Sequence, residues 1–334
     1  MYVSNFEDWY ERASVRTKPR RILLDEEAEG KVYFPVAQMP ILSHAMVRER
    51  GPEVARVLMV QQLYRYLDFT SHLEHHLVNS AAQRIAFRRS DFDLPGEMLF
   101  DAHKLYTDEA YHALFSEDLK IQVASATRIL PAASGAPEFL RWLHEQQACH
   151  SPEWSGLLEI FSAVVAETLI SATLVQVPRD PTVITAVREL VADHAEDEAI
   201  HHRFFAQLFR MTWPTLSAKQ RAMIGPKLAQ FMVKFLFPDF GVLRASLEGV
   251  GLDPVQAEQI VEESHSSRGE IMEGIRRTAR MTLRLFEQCG LWGDSRIRDS
   301  FEQEGLLVQT PETFLEDSPS ATDPVEGLVQ MATP

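Results

Sequence analysis

The segment Thr107-Asp108-Glu109-Ala110-Tyr111-His112 returns almost intact as Glu196-Asp197-Glu198-Ala199-Ile200-His201. Both copies lie in stretches of helical periodicity. Residues three apart share a helix face, so each copy can present one carboxylate and one imidazole to the same point. The Glu-x-x-His spacing alone says little, because a chain with 12 histidines gives about one match by composition. Glu262-Glu263-Ser264-His265 is such a match, preceded by Val261 instead of aspartate, and it reads as a surface pair.

The surroundings lift the first two copies above chance. Glu74 follows Leu73 in a long apolar helix, and Glu167 sits in Ser162-Ala163-Val164-Val165-Ala166-Glu167-Thr168-Leu169, the most apolar context in the chain. An unpaired carboxylate there would cost several kcal/mol or take up a proton, and no Lys or Arg lies within two helical turns of Glu167. A metal ion is the natural partner. The order Glu, Glu-x-x-His, Glu, Glu-x-x-His on successive helices is the ligand set of ferritin-like dinuclear carboxylate bundles. Two divalent ions about 3.5–4 Å apart are neutralised by four such carboxylates. Oxygen and imidazole donors suit iron or manganese, and the lack of thiolates argues against structural zinc.

His194 stands four residues before Glu198 and seven before His201, on one stripe of the same helix, where a third imidazole would make the two ions inequivalent. A hydrogen-bonded core histidine is the alternative. Asp108 and Asp197 project to the side of their motifs, where each is predicted to accept the second ring N–H of a ligating histidine on the facing helix; solvated surface charge is the alternative. His75, His76 and His202 lie off these faces and read as packing or surface.

Four long helices carry these residues, over 54–87, 97–127, 153–177 and 182–211, with Pro181 placed to open the last. The third is apolar almost all round, which predicts enclosure by other helices. Further helical patterns cover 217–236, 240–247 and 254–288. Residues 1–50, with Pro19, Pro35 and Pro40, read as an N-terminal arm that wraps the domain. Residues 51–311 form the ferritin-like domain, and 312–334 read as a flexible C-terminal tail. The expected fold is all-α: a four-helix bundle carrying a dinuclear site, with additional C-terminal helices.

Composition narrows the rest. A hydrophobic share of 45% in 334 residues permits a large core, and a net charge of −15 argues against nucleic acid or an anionic membrane as partner. Two cysteines, no apolar leader and no run of about 18 uninterrupted apolar residues lead to the expectation of a cytoplasmic protein.

The segments Leu73–Leu77, Thr107–His112, Val164–Ser171 and Asp193–His201, with the intervals between them, resemble the AurF-type arylamine N-oxygenases of antibiotic biosynthesis, over residues 50 to about 290. The resemblance implies seven ligands to two iron ions, Glu74, Glu109, His112, Glu167, His194, Glu198 and His201. Glu109 and Glu198 would bridge, and Glu109, Glu198 and His194 would be the catalytic members. It implies O2-dependent oxidation of an amine to hydroxylamine or a higher N-oxide, in a homodimer. Electrons must come from outside, from a ferredoxin- or flavin-reductase type of donor, since the chain has no nucleotide or flavin fingerprint. One position departs. The family's arginine one turn before the first glutamate is Phe69 here, with Arg65 a further turn back. That favours an aliphatic amine, a neutral aromatic amine or a carrier-tethered aminoacyl group over a free aryl carboxylate. A C-hydroxylase or desaturase on the same metal pair, and a ferritin-like binding protein without turnover, are the alternatives.

Overall fold

In the computed structural model, residues 2–132, 135–265 and 267–308 are described, and helices dominate, with a single isolated bridge, Val32 to Val183, standing for β-structure among them. The expected tail from residue 312 lies outside the described residues. The bundle consists of α1 (Pro52–Leu73) continuing into α2 (Asn79–Ala86), α3 (Gly96–Thr127), α5 (Pro152–Thr173) and α6 (Thr185–Thr212), while α4 (Glu138–Ala148) packs between. α1 and α2 lie along α3, α5 lies along α6, and contacts between α3 and α6 join the two pairs.

The residues from Gly156 to Ile170 of α5 are all buried. The reason is its position: α6, α7 (Ala218–Leu236), α10 (Arg268–Gln288) and α4 surround it. Pro152–Arg179 is also the one described segment long and apolar enough to cross a membrane by composition, but 72% of that window is inside the bundle, as befits a core helix. Thr282 on α10 donates to Thr168 O at 3.0 Å, fastening the outer layer to α5 beside Glu167.

Three expectations about the helices need correction. The first long helix is interrupted by a π-helical turn, Glu74–Val78, in which Asn79 N–H donates to Glu74 O five residues back. The one extra residue rotates α2 by about 100° relative to a regular continuation of α1. The fourth helix starts at Thr185, because Val32 N–H bonds Thr182 O and Ile184 N–H bonds Val32 O; Pro181 lies in the turn before it. Residues 254–288 make two helices, α9 (Pro254–Ser264) and α10, since Ser267 caps a new start through its hydroxyl and Glu270. Between α7 and these lies α8 (Phe240–Gly249), and α11 (Ser295–Gln303) closes the described chain against α7.

Residues 2–50 pack onto the bundle through short helical turns, Trp9–Arg12, Ser14–Thr17 and Ala45–Arg48, with Phe6, Trp9, Tyr33 and Phe34 buried. Basic side chains lead the arm along an acidic face: Arg20 meets Asp118 of α3, while Lys18 and Arg21 meet Glu196 and Asp193 of α6.

Candidate metal centre

The seven residues singled out from the sequence all converge. Glu74, from the π turn, Glu109 and His112 from α3, Glu167 from α5, and His194, Glu198 and His201 from α6 are each at most 1% exposed. Glu74, His112, His194 and Glu198 each offer a ligand atom within 4.8 Å of the others, and so do Glu109, His112, Glu198 and His201; Glu74, Glu109 and Glu167 form a third such group. The π turn supplies what a regular helix would not, a local widening that carries Glu74 inward between α3 and α5, both of which that turn contacts.

The imidazoles are oriented from outside. His112 approaches Glu109 Oε2 through Nδ1 at 2.8 Å, and its Nε2 lies 3.1 Å from Asp197 Oδ2 on the facing helix. His201 mirrors it, with Nδ1 at 3.2 Å from Glu198 Oε1 and Nε2 at 3.3 Å from Asp108 Oδ2. Both aspartates are buried at 2% exposure, so the surface-charge alternative is wrong and the crossed pairing read from helix geometry is what the fold contains. His194 points the other nitrogen inward, its Nε2 lying 3.2 Å from Glu198 Oε1 and 3.5 Å from Glu74 Oε1.

Charge in this cage divides unevenly. Burial, then the charges of the other glutamates, push Glu74 and Glu167 well above the carboxylate range. Glu109 and Glu198 bear the same desolvation, but imidazole neighbours, His201 foremost, outweigh it and hold both below that range. Burial would lower His112, yet hydrogen bonds to Asp197 and Glu109 raise it to about 10. His201 is raised well above the ordinary value by Glu109, Glu198 and Asp108 against its own desolvation. His194 is depressed by burial and by the neighbouring charge of His112.

Both side-chain oxygens of Glu74, both of Glu167, Glu109 Oε1, Glu198 Oε2 and His194 Nε2 are buried without a hydrogen-bond partner. Unsatisfied acceptors of this kind are costly and uncommon in a packed interior. Here they converge, the imidazoles reach only Glu109 and Glu198 of the four glutamates within 3.2 Å, and a cation is the group that would satisfy the lone pairs that remain on Glu74 and Glu167. The donor set is therefore the kind a pair of divalent ions requires.

The remaining sequence candidates lie elsewhere. His75 and His76 are exposed, His202 lines a separate cavity with Thr168 and Arg210, and Glu262 is exposed while His265 bonds Val261 O near the end of α9. Sequence reasoning missed Tyr66, two turns before Glu74. Its buried hydroxyl has no hydrogen-bond partner, and desolvation followed by the charges of Glu198 and Glu74 raises its pKa. It also missed Trp9 and Ser14 of the arm, which reach Asp108 and Asp197.

An all-helical bundle with four buried carboxylates and three imidazoles in one cage could hold a dinuclear metal site. The chain matches the family model described as P-aminobenzoate N-oxygenase AurF over residues 22–290, and it belongs to that family, one of di-iron oxygenases. The match begins well before residue 50, so it takes in most of the arm as well as the motif-bearing helices. A comparison with curated proteins returns no match.

Proposed function

We propose that this chain is an O2-dependent di-iron N-oxygenase that converts an amine, free or carrier-tethered, to hydroxylamine or a higher N-oxide in specialised metabolism. Glu74, Glu109, His112, Glu167, His194, Glu198 and His201 would hold the two ions, and the same donors would accept manganese as a substitute. The observation that carries this reading is the set of orphaned acceptors converging in a buried cage within a chain of this family. Once bound, reduced iron would supply the electrons that activate O2. The chain's part is to neutralise the ions with four carboxylates, orient the imidazoles and keep water out. An external reductase, a homodimer and a cytoplasmic setting belong to the same reading.

The surroundings of Phe69 bear on the substrate. Phe69 packs against Phe139 and Phe235 at ring separations of 5.3 and 5.4 Å, and all three line a cavity of about 230 Å³ whose other walls carry charged side chains, Arg65 and Lys234 among them. Phe69 itself offers no cation to a substrate carboxylate, which favours an amine without a free aryl carboxylate. Protein loaded with ferrous iron, reduced chemically and given O2 with p-aminobenzoate, its methyl ester and aliphatic amines should yield N-oxygenated product, most from the uncharged amines. Product hydroxylated only at carbon would overturn the assignment in favour of a C-hydroxylase.

A further inference from the structure

The first 21 residues precede the span matched by the family, yet they hold the outer ends of both histidine hydrogen-bond chains. Trp9 Nε1 donates to both Asp108 oxygens at 2.8 Å, and Asp108 in turn holds His201. The Ser14 backbone N–H donates to both Asp197 oxygens at 3.3 Å, and Asp197 holds His112. Around these contacts the arm is anchored independently: Tyr2 hydroxyl and Ser4 hydroxyl donate to Asp101 at 2.8 and 2.6 Å, and Lys104 donates to Phe6 O at 2.9 Å. Phe6 lies over the His201 ring, 6.0 Å between centroids and 19° from parallel.

We propose that residues 2–21 are a clasp of the metal centre, in which Trp9 and the Ser14 amide are positioning groups that set the tautomer and orientation of His201 and His112. The argument is one of polarity. An indole N–H and a backbone N–H can only donate, so each aspartate must accept on that side. The carboxylate then accepts again from the histidine Nε2–H. With Nε2–H held by the aspartate, the nitrogen of each ring directed into the cage is Nδ1, so that is the one whose proton a metal would displace. A side chain that could also accept, such as serine or water, would leave the direction of the chain open. Trp9, Ser14, Asp108 and Asp197 are all at least nine-tenths buried, so water does not compete for these positions.

The inference rests on the metal reading, and the test separates the two. Co(II) binding to the full chain is measured by chelator competition and visible absorption, with the unfolding midpoint of the metal-free protein recorded alongside. Wild type should bind two Co(II); no binding would defeat the metal reading itself. Trp9→Phe keeps an aromatic ring and removes the donor, and should weaken Co(II) binding about tenfold, within the range of outer-shell losses at metal sites. Tyr2→Phe, which loosens the arm at Asp101 alone, should stay within about twofold of wild type on the same scale. Ser14 offers a second and independent test. Ser14→Pro deletes both the amide donor and the hydroxyl, at the first position of a helical turn, where proline is tolerated. Ser14→Ala removes the hydroxyl and keeps the amide. The proline variant should weaken binding and the alanine variant should not. Trp9→Phe should add nothing in an Asp108→Asn background, because its influence passes through that carboxylate. Two-site wild-type binding with unaltered affinity in both Trp9→Phe and Ser14→Pro, or a Trp9→Phe loss undiminished by Asp108→Asn, would overturn the clasp.

Discussion

Glu159 and Glu167 occupy the same helix eight residues apart, and both are buried, at 5% and 0% exposure. Their fates differ. Glu159 meets the guanidinium of Arg84 from α2 in a close ion pair. Neither oxygen of Glu167 has a hydrogen-bond partner, and its nearest charged neighbours are other glutamates and His201. One buried acid is therefore answered by a guanidinium in a close ion pair, and the other converges with three more carboxylates where the imidazole of His201 lies 4.0 Å away, beyond hydrogen-bond reach. A buried acid alone is thus no sign of function; a buried acid with no hydrogen-bonded partner is.

That contrast can be broken most directly by exchanging each acid for an uncharged residue. Glu167→Ala should abolish turnover and reduce metal content below two ions per chain, because a quarter of the compensating charge is lost from a dry site. A fully loaded and active variant would remove Glu167 from the ligand set. Glu159→Gln should leave metal content untouched and lower the stability of the metal-free protein by about 1–3 kcal/mol in urea unfolding, the cost of a charged hydrogen bond broken beside a buried partner. The lower part of that range is expected, since Arg84 is about a third exposed and water recovers part of the loss.

A pH series sharpens the same comparison. His112 has a folded value of about 10 against 6.5 for a free imidazole, so its contribution to stability is complete below pH 6.5 and is lost as pH rises towards 10. Glu74 and Glu167, raised by burial, act in the same direction. The unfolding midpoint of metal-free protein should therefore fall from pH 6.5 towards 10. Co(II) affinity should rise over the same window, because binding must displace those protons. A midpoint that stays flat or climbs would contradict the protonation pattern of the cage.

Smaller effects are expected further out. His194→Ala should fold and still bind metal, but with an altered Co(II) absorption spectrum; an unchanged spectrum would return His194 to the core. Glu262→Ala, on an exposed position of α9, should change stability by no more than about 0.5 kcal/mol and activity not at all. It tests whether a Glu-x-x-His spacing without burial does anything.

Much of the site was legible because its logic is local. The spacing of Glu109 and His112, of His194, Glu198 and His201, and of each aspartate beside its motif follows from residues per turn, and the crossed Asp108–His201 and Asp197–His112 pairs follow from repeating that arithmetic on facing helices. Glu167 stood out because an acid in an apolar helix demands an explanation. Tyr66 carried no such signal, as one tyrosine among core aromatics. Nothing in Glu74-His75-His76-Leu77-Val78 marks a π turn either, since it contains no glycine or proline and the extra residue is favoured only by what it lets Glu74 reach. The break after Ser264 was hidden for a related reason: the serine cap at Ser267 competes with a pattern that continues through it.

The amino-acid sequence by itself determined the helical class and the four helices that carry the candidates, because helix periodicity and the cost of burying charge act over a few residues; the full set of seven drew on the family resemblance as well. Only the tertiary structure decided that Glu74 enters through a widened turn, that Arg84 answers Glu159, and that Trp9 and Ser14 close the outer hydrogen-bond chains. Those contacts join residues far apart along the chain, where packing and the pairing of buried polar groups, not local propensity, select the partner.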